Sequence, residues 1–345
     1  MALTYKSVGE VLIHATKGRP QRSQPGQCLR YLRPEEYALW DALVEESPQG
    51  NVFCRTWWLR AIPGDVRVLA YFRGGHLIAG IPLYFERRLG VTLCRMPKLV
   101  HTWGVVMEPL EGKRATVVSR EMEILAVFAK ELANQRFFVQ AFHPTLTNWL
   151  PFYWKDFRQV TRFGYVFHDV TALDRIWEQM ECNARRNIRK AGREGLTVVP
   201  CASRVVSIVA EKTFKKQGKP LPYSEGYLNQ LYSAAKAKNA GECFAAIDGE
   251  GRTHAAAFIV WDRKRAYYLA SGTDPELRAS GAESLLTWHL LKFSSDRTET
   301  FDFAGSVVQR IENFERGFGA SLVAYNRILK LPRPLLACCA LMGIS

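Results

Sequence analysis

The strongest constraint on the fold is an order of elements that the chain runs through twice. In the first half, the strand-like runs VRVLAYF from Val66, HLIAGIPLYF from His76 and VTLCRMP from Val91 are separated by Arg73-Gly74-Gly75 and Arg87-Arg88-Leu89-Gly90, which predicts an antiparallel meander. A helix over about 120–135, the strand FFVQAF from Phe137, an aromatic helix over about 146–157 and the strand FGYVFHDV from Phe163 follow. In the second half ECFAAID from Glu242 turns at Asp248-Gly249 into THAAAFIVWD, and Arg263-Lys264-Arg265 leads into AYYLASG. A helix over 280–294, the strand TFDFAGS from Thr300, a helix over 308–317 and the strand SLVAYNRILKL from Ser321 complete the round. The shared order predicts an α/β chain of two duplicated domains, each a mixed, mainly antiparallel sheet flanked by helices, rather than one large sheet. A length of 345 residues with 48% hydrophobic content is enough for two cores.

The expected boundaries are a flexible arm at 1–27, whose end is rich in Gly, Pro, Gln and Arg; a first domain at 28–165 that begins with a helix over 34–46; a second domain at 166–330; and an apolar tail at 331–345. The tail is short and broken by Pro332 and Pro334, so it reads as a buried terminal segment or as a peripheral membrane contact. Between the halves, Thr171 and Asp174 open one helix in capping-box fashion. Ile176, Met180, Ala184 and Ile188 form its apolar stripe, and Gly192 or Gly195 ends it.

A formal net charge of +14 and a pI near 9.5 point to an anionic partner or to a merely solubilising basic surface. The eight cysteines are scattered, with no CxxC pair and no zinc spacing, which fits a reducing compartment. No apolar run reaches the length of a signal h-region or a membrane span, so a cytoplasmic location is expected. The sequence has no GxxxxGK[ST], GxSxG or HExxH, and its seven histidines show no metal-ligand spacing. Nucleotide hydrolase, serine hydrolase and zinc enzyme readings are therefore unsupported, and no metal is expected.

Three constellations remain. The first is Arg278-Ala279-Ser280-Gly281-Ala282-Glu283, between the run AYYLASG and an amphipathic helix. A small-residue turn at a helix start leaves N–H groups free for a phosphate, with Arg278 adding charge. The same residues also spell a plain capping box, and a Glu283 carboxylate would repel an anion there. Ser271, Gly272 and Thr273, just before it, form either an exposed strand edge for an extended ligand or an ordinary loop. The second is NARRNIRKAGREG, Asn183 to Gly195, in which Arg185, Arg189 and Arg193 share one line of a helix and Arg186 and Lys190 the next. Such cation density calls for an anion or marks a solvated face; Lys212, Lys215, Lys216 and Lys219 extend the patch. The third is FDFAGS, where Asp302 faces away from Phe301 and Phe303 and Gly305-Ser306 end the strand; Asp302 is a proton acceptor, an orienting group or a structural carboxylate.

RRNIRKAGREG, SGTDPELRASGAESLLTWHLLKF, FDFAGS and IENFERGFGA, in that order and spacing, resemble the FemAB-like branch of the GNAT superfamily of N-acetyltransferases. The resemblance covers about 51–330, is specific in the second half and loose in the first. It implies two tandem GNAT-like domains around a cleft, with the acceptor against the first and the acyl or aminoacyl donor in the second. The family's donor loop falls on Arg278 to Glu283. Two departures are Ala304, where related sequences tend to read FDFEGS, and Glu315, where an aromatic is common. The helical hairpin that serves as a tRNA arm in aminoacyl-transferring members has no counterpart here, which favours acyl-CoA as co-substrate.

The expected site has Ser271, Gly272, Thr273, Arg278, Ala279, Ser280 and Gly281 holding the donor, and Asp302, Tyr268 and Tyr223 in proton transfer or acceptor contact. Arg186, Arg189, Lys190 and Ser306 would hold the acceptor. That acceptor is a small-molecule or lipid-linked amine: an amino sugar, an amino acid or a cell-envelope or polysaccharide precursor. The alternatives are tRNA-dependent aminoacyl transfer to a peptidoglycan precursor, and a non-catalytic module of a membrane-associated polysaccharide assembly.

Overall fold

The computed structural model describes residues 26–88, 90–305 and 307–332. The arm expected at 1–27 and the tail expected at 331–345 lie almost wholly outside the described residues, as does Ser306. The first half runs β1 (Gln27–Tyr31), α1 (Tyr37–Glu46), α2 (Thr56–Ala61), β2 (Asp65–Arg73), β3 (His76–Arg88), β4 (Val91–Arg95), β5 (Val106–Met107), α3 (Arg114–Leu132), β6 (Phe138–Ala141), α4 (Leu150–Tyr153) and β7 (Arg158–Phe167). The second half runs α5 (Leu173–Gln179), α6 (Cys182–Arg193), β8 (Thr197–Pro200), α7 (Ser203–Lys216), α8 (Glu225–Ala237), β9 (Gly241–Ile247), β10 (Thr253–Trp261), β11 (Arg265–Thr273), α9 (Ala282–Ser295), β12 (Thr300–Asp302), α10 (Gln309–Gly317) and β13 (Ser321–Lys330).

Each half contains the expected meander, but the halves are not separate sheets. The strands join in the order β1-β2-β3-β4-β6-β13-β7-β12-β11-β10-β9-β8, with β5 paired to β3. The join is made by β13, which pairs antiparallel with β7 from Ser321↔Val166 to Leu329↔Arg158 and with β6 from Arg327↔Ala141 to Lys330↔Phe138. One strand satisfies the backbone groups of two others that would otherwise be open edges.

Side-chain alternation fixes the layers. In β2, Val68, Ala70 and Phe72 face one core while Leu69 and Tyr71 face another; in β10, Ala256, Phe258 and Val260 oppose Ala255, Ala257 and Ile259. The core on the shared face takes side chains from both halves, including Trp40, Phe53 and Trp58 from the first and Leu228, Leu231 and Tyr267 from the second. The rings of Phe53 and Tyr267 meet across the halves at 4.7 Å. This common core holds the two halves in a fixed relation where the site forms.

The single helix expected from Thr171 to Gly195 is two helices. Ile176, Met180, Ala184 and Ile188 are all buried as the stripe requires, yet Met180 and Glu181 are extended, with ψ of 142° and 147°. The cause is tertiary: Glu181 N–H donates to the carbonyl of Gly317 in α10, and Arg316 binds the Glu181 carboxylate. Thr171 does not cap the helix but is folded onto Asp169 through its N–H and hydroxyl. The expected aromatic helix is cut to α4, and α2, β8, α7 and α8 arise where the sequence reading names no element. The signal for the last two was present, since Val206, Val209 and Ala210, and Leu228, Leu231 and Ala235, recur at helical spacing and are buried.

Because β13 alone bridges β6 and β7, a chain truncated after Ala320 should lose cooperative unfolding. Differential scanning calorimetry should show a broadened or split transition and a fall in midpoint, whereas an unchanged single transition would contradict the bridging role.

Candidate active site

The site begins where two parallel strands part. β11 and β12 are in register for Arg265↔Thr300, Ala266↔Phe301 and Tyr267↔Asp302, after which β12 stops while β11 continues to Thr273. The stop is local chemistry: the Ala304 N–H donates to Asp302 Oδ1 at 2.8 Å, and Ala304 and Gly305 turn the chain away with φ of 58° and 69°. A side chain on Gly305 would meet the Phe163 carbonyl, the Tyr325 hydroxyl and the His101 ring within 3.0–3.2 Å, so the turn is tightly enclosed. From Tyr268 onward the β12 side of β11 is left without a strand. Within that stretch the β10 register slips between Ile259↔Tyr268 and Phe258↔Ala270, which makes Leu269 a bulge residue and re-aims its backbone.

A buried polar cluster lies at the parting. Asp302 is 1% exposed and accepts a hydrogen bond from Arg265 Nη1 at 3.1 Å. His101, from the loop after β4, brings Nε2 to 3.8 Å from Asp302 Oδ1, too long for a hydrogen bond. Burial lowers the His101 pKa, Asp302 opposing this only in part, so the ring is neutral at pH 7. Its ring meets that of Tyr325 from β13 at 5.1 Å. Burial, followed by the nearby Asp302 charge, pushes the Tyr325 hydroxyl up to about 12. Glu315 of α10 is buried with Oε2 unpartnered; desolvation first, then the Asp302 charge, raises its carboxyl to about 8. His101, Arg265 and Tyr325 were not singled out from sequence. His101 and Tyr325 come from the first half and the bridging strand, which no local pattern ties to FDFAGS.

The other expected proton-transfer residues are placed apart. Tyr268 lies on the opposite face of β11 from Tyr267, and burial raises its hydroxyl. Tyr223 is remote from this cluster. It lines a separate cavity between α7 and α8 with Ser207, Lys215 and Lys219, and burial raises its hydroxyl to about 12.

The two basic or phosphate-type constellations of the sequence meet in space. Helix α6 packs along α9 so closely that a Cβ on Gly281, where φ is 77°, would lie 2.5 Å from the Asn187 carbonyl, and Lys190 Nζ donates to the Ala279 carbonyl at 2.6 Å. Arg186, Arg189 and Arg193 line an open depression along α6, Arg189 stacking over Trp177. Arg278 is exposed and shares a small cavity of about 170 Å³ with Lys216 of α7 and Arg310 of α10, beside Thr213 and Thr273. Two helices, α7 and α10, and the turn thus converge their cations beside Thr273 at the end of β11, while the α6 arginines line a separate depression. Burial raises the Glu283 carboxyl, which weakens its repulsion of an anion at the helix start. Ser280, by contrast, is 7% exposed, with its hydroxyl on His254 Nδ1 at 2.9 Å. Gly272 sits directly beneath α7, where any Cβ would collide with the Ala210 backbone. The Thr273 N–H and carbonyl are both engaged by the Thr213 hydroxyl. The available edge therefore narrows to the segment before Thr273. Among the described residues no cluster of His, Cys, Asp and Glu suits a metal ion, and no helix is long and apolar enough to cross a membrane.

Residues 178–309, which include the parting strands, the bulge and the turn before α9, match the family model described as Acetyltransferase (GNAT) domain. This stretch of the second half is a GNAT-type acetyltransferase domain. The fold of the whole chain is similar to that of FemX (15% identity, TM-score 0.64, covering 89% of this chain and 98% of that one). It is also similar to the tandem GNAT protein from the clavulanic acid biosynthesis pathway (10% identity, TM-score 0.53, 88% and 97%). A third similar fold is the C-terminal domain of a putative lysylphosphatidylglycerol synthetase from Agrobacterium fabrum (15% identity, TM-score 0.53, 89% and 94%). At such identities the likeness is one of fold, and it fits two GNAT-like units spanning the chain. No curated protein matches the sequence significantly. The chain thus carries a GNAT-type transferase domain at residues 178–309, which supplies the parting strands, while the first half supplies His101.

Since Glu315 binds its proton more tightly folded than unfolded, its contribution to stability is complete below about pH 4.5 and is lost as pH rises through about 8. Glu315→Gln should flatten the fall in melting temperature between pH 5.5 and 8.5 and leave the variant more stable than wild type at the upper end. Parallel curves in differential scanning fluorimetry would contradict the buried, protonated state.

Proposed function

We propose that the chain is an N-acyltransferase that moves an acyl group from acyl-CoA to a primary amine, and that the open edge of β11 beside the Arg278 turn receives the donor. The observation that carries this reading is the convergence of Arg278, Lys216 and Arg310 at the end of an unpaired strand edge. A chain of amides needs backbone partners and a phosphate terminus needs cations, and the two lie end to end here. Arg278 and the N–H groups opening α9 would hold the phosphates, while Ser271 and the edge before Thr273 would take the extended arm. Arg186, Arg189 and Lys190 would extend the same positive surface toward an anionic acceptor or the far end of the donor.

In the proposed reaction the amine attacks the thioester carbonyl, the N–C bond forms and the C–S bond breaks. His101 is neutral and therefore able to accept the amine proton, with Asp302 beside it to steady the resulting charge and Arg265 holding Asp302 in place. The Leu269 bulge would aim a backbone N–H at the carbonyl oxygen. Tyr325, protonated up to about pH 12, would return a proton to the departing thiolate, with Tyr268 the alternative donor from the other face. Tyr223 fits acceptor contact better than proton transfer, given its separate cavity.

The acceptor class proposed is an amine of an amino sugar, amino acid or cell-envelope precursor. A fold neighbour named for a phospholipid product supports a lipid-linked form. Aminoacyl transfer from tRNA is a second reading, favoured by the open line of Arg186, Arg189 and Arg193, which offers more positive surface than one diphosphate needs.

A panel of acetyl-CoA, long-chain acyl-CoA and aminoacyl-tRNA, read by thermal shift and by thiol release against a set of amines, tests these readings. Arg278→Glu should raise the KM for acyl-CoA about tenfold to a hundredfold, the loss of one charge-assisted phosphate contact worth roughly 1.5–3 kcal/mol. Wild-type KM in that variant, or no CoA-induced shift in the parent, would reject the donor site. Binding of tRNA alone, falling steeply with salt, would favour the second reading.

A further inference from the structure

The turn that carries Arg278 is clipped at both ends by one residue outside it. His254, at the start of β10, accepts the Asp274 N–H on its main-chain carbonyl at 2.8 Å, at the near end of the turn. At the far end its ring Nδ1 meets Ser280 Oγ at 2.9 Å, and its Nε2 meets Asp248 Oδ2 at 3.0 Å. Asp248 is held in turn by the Arg252 side chain at 2.7 Å and by the Glu250 and Arg252 N–H groups, all within the β9–β10 turn. Asp274 is braced from a third element by Lys212 of α7 at 2.6 Å. The Asp248–His254–Ser280 line is almost wholly buried, with His254 6% and Ser280 7% exposed.

The connectivity is that of an acid, a base and a hydroxyl, but the hydroxyl cannot serve as a nucleophile because it is enclosed. The hydrogen bond from His254, followed by that from Arg252, keeps the Asp248 carboxyl well below the usual carboxylate range, so Asp248 is an acceptor only. It therefore takes the proton of Nε2, and the ring's other nitrogen, Nδ1, engages the Ser280 hydroxyl. The Ser280 oxygen also accepts from the Ala282 N–H at 3.4 Å, so its partners lie within the relay and the helix start.

We propose that Asp248, His254 and Ser280 form a positioning relay for the donor turn: Ser280 serves the donor by fastening the turn to His254, so that Arg278 and the N–H groups opening α9 are presented in fixed geometry. The relay rests on the acyl-CoA reading given above. His254 and Asp248 are new to the site, and Ser280 changes its role from phosphate contact to anchor. None of the three touches the reacting atoms.

Ser280→Ala, His254→Ala and the double variant test this in the full-length chain. Each single variant should raise the acyl-CoA KM about five- to thirtyfold, with kcat at saturation and the acceptor KM within about twofold of wild type. The double variant should be no worse than the poorer single one, because both cut the same line. Amide hydrogen exchange of ligand-free protein should show faster exchange confined to 274–282 in both variants. That readout needs no donor, so a wild type that fails to bind CoA would reject the acyl-CoA reading while the exchange data still judge the relay. Unchanged exchange in Ser280→Ala, which removes a single oxygen and leaves packing intact, overturns the proposal. So does a fall in kcat with donor KM unchanged, or additive losses in the double variant.

Discussion

Two strands that are hydrogen-bonded over three residue pairs and then part set the terms for the rest of the molecule. A parting leaves backbone N–H and C=O groups of a central strand without partners, which is costly inside a protein unless something else supplies them. Here part of the supply is internal: Thr213 closes the far end of β11, and Asp302 folds its own carboxylate back onto the Ala304 N–H. What is left between these two closures is short, polar and flanked by cations. A ligand with amides in its middle and phosphate at its end matches that gap in both chemistry and order.

The charged groups at the parting are arranged so that few of them are charged without support. Asp302 has Arg265 as its counter-ion, His101 stays neutral in a dry setting, and Glu315 keeps its proton through most of the physiological range. A buried carboxylate beside a neutral imidazole and a protonated carboxyl is a set of groups with separated proton affinities, which is what proton transfer near neutrality requires. Its cost is a pH-dependent core. The pieces come from β12, α10, the loop after β4 and β13, so the cluster exists only once both halves are joined.

How much of this was legible in the sequence depended on range. The meanders, α9, α10 and the Arg278 turn are encoded in short periodic runs and turn residues, and RASGAE can be read where it stands. Asp302 could be picked from alternation alone, because Phe301 and Phe303 define the opposite face. The break at Met180–Glu181 could not, since the stripe is continuous and only the Gly317 carbonyl from α10 pulls the chain out of helix. The single sheet was equally hidden, because nothing in SLVAYNRILKL says that both of its edges are used. His101 had no neighbours in sequence to mark it. Ser280 is legible in the turn, but its contact with His254 is not, since His254 lies in another strand and carries no motif. The packing of α6 on the Arg278 turn is also invisible in sequence, although Gly281, the residue that permits it, marks the turn itself.

The use of β13 as the common member of two strand ladders also bears on how the molecule is assembled. β6 and β7 are made early in the chain, and each waits with an open, hydrogen-bonding flank until a distant segment arrives between them. Such a topology has high contact order, so closure is slow, and in the interval each flank is a template for the equivalent flank of another copy. Exchange of β13 between two chains would satisfy the same ladders as its insertion within one. Yield at high concentration is therefore governed by competition between intrachain and interchain docking of this single segment.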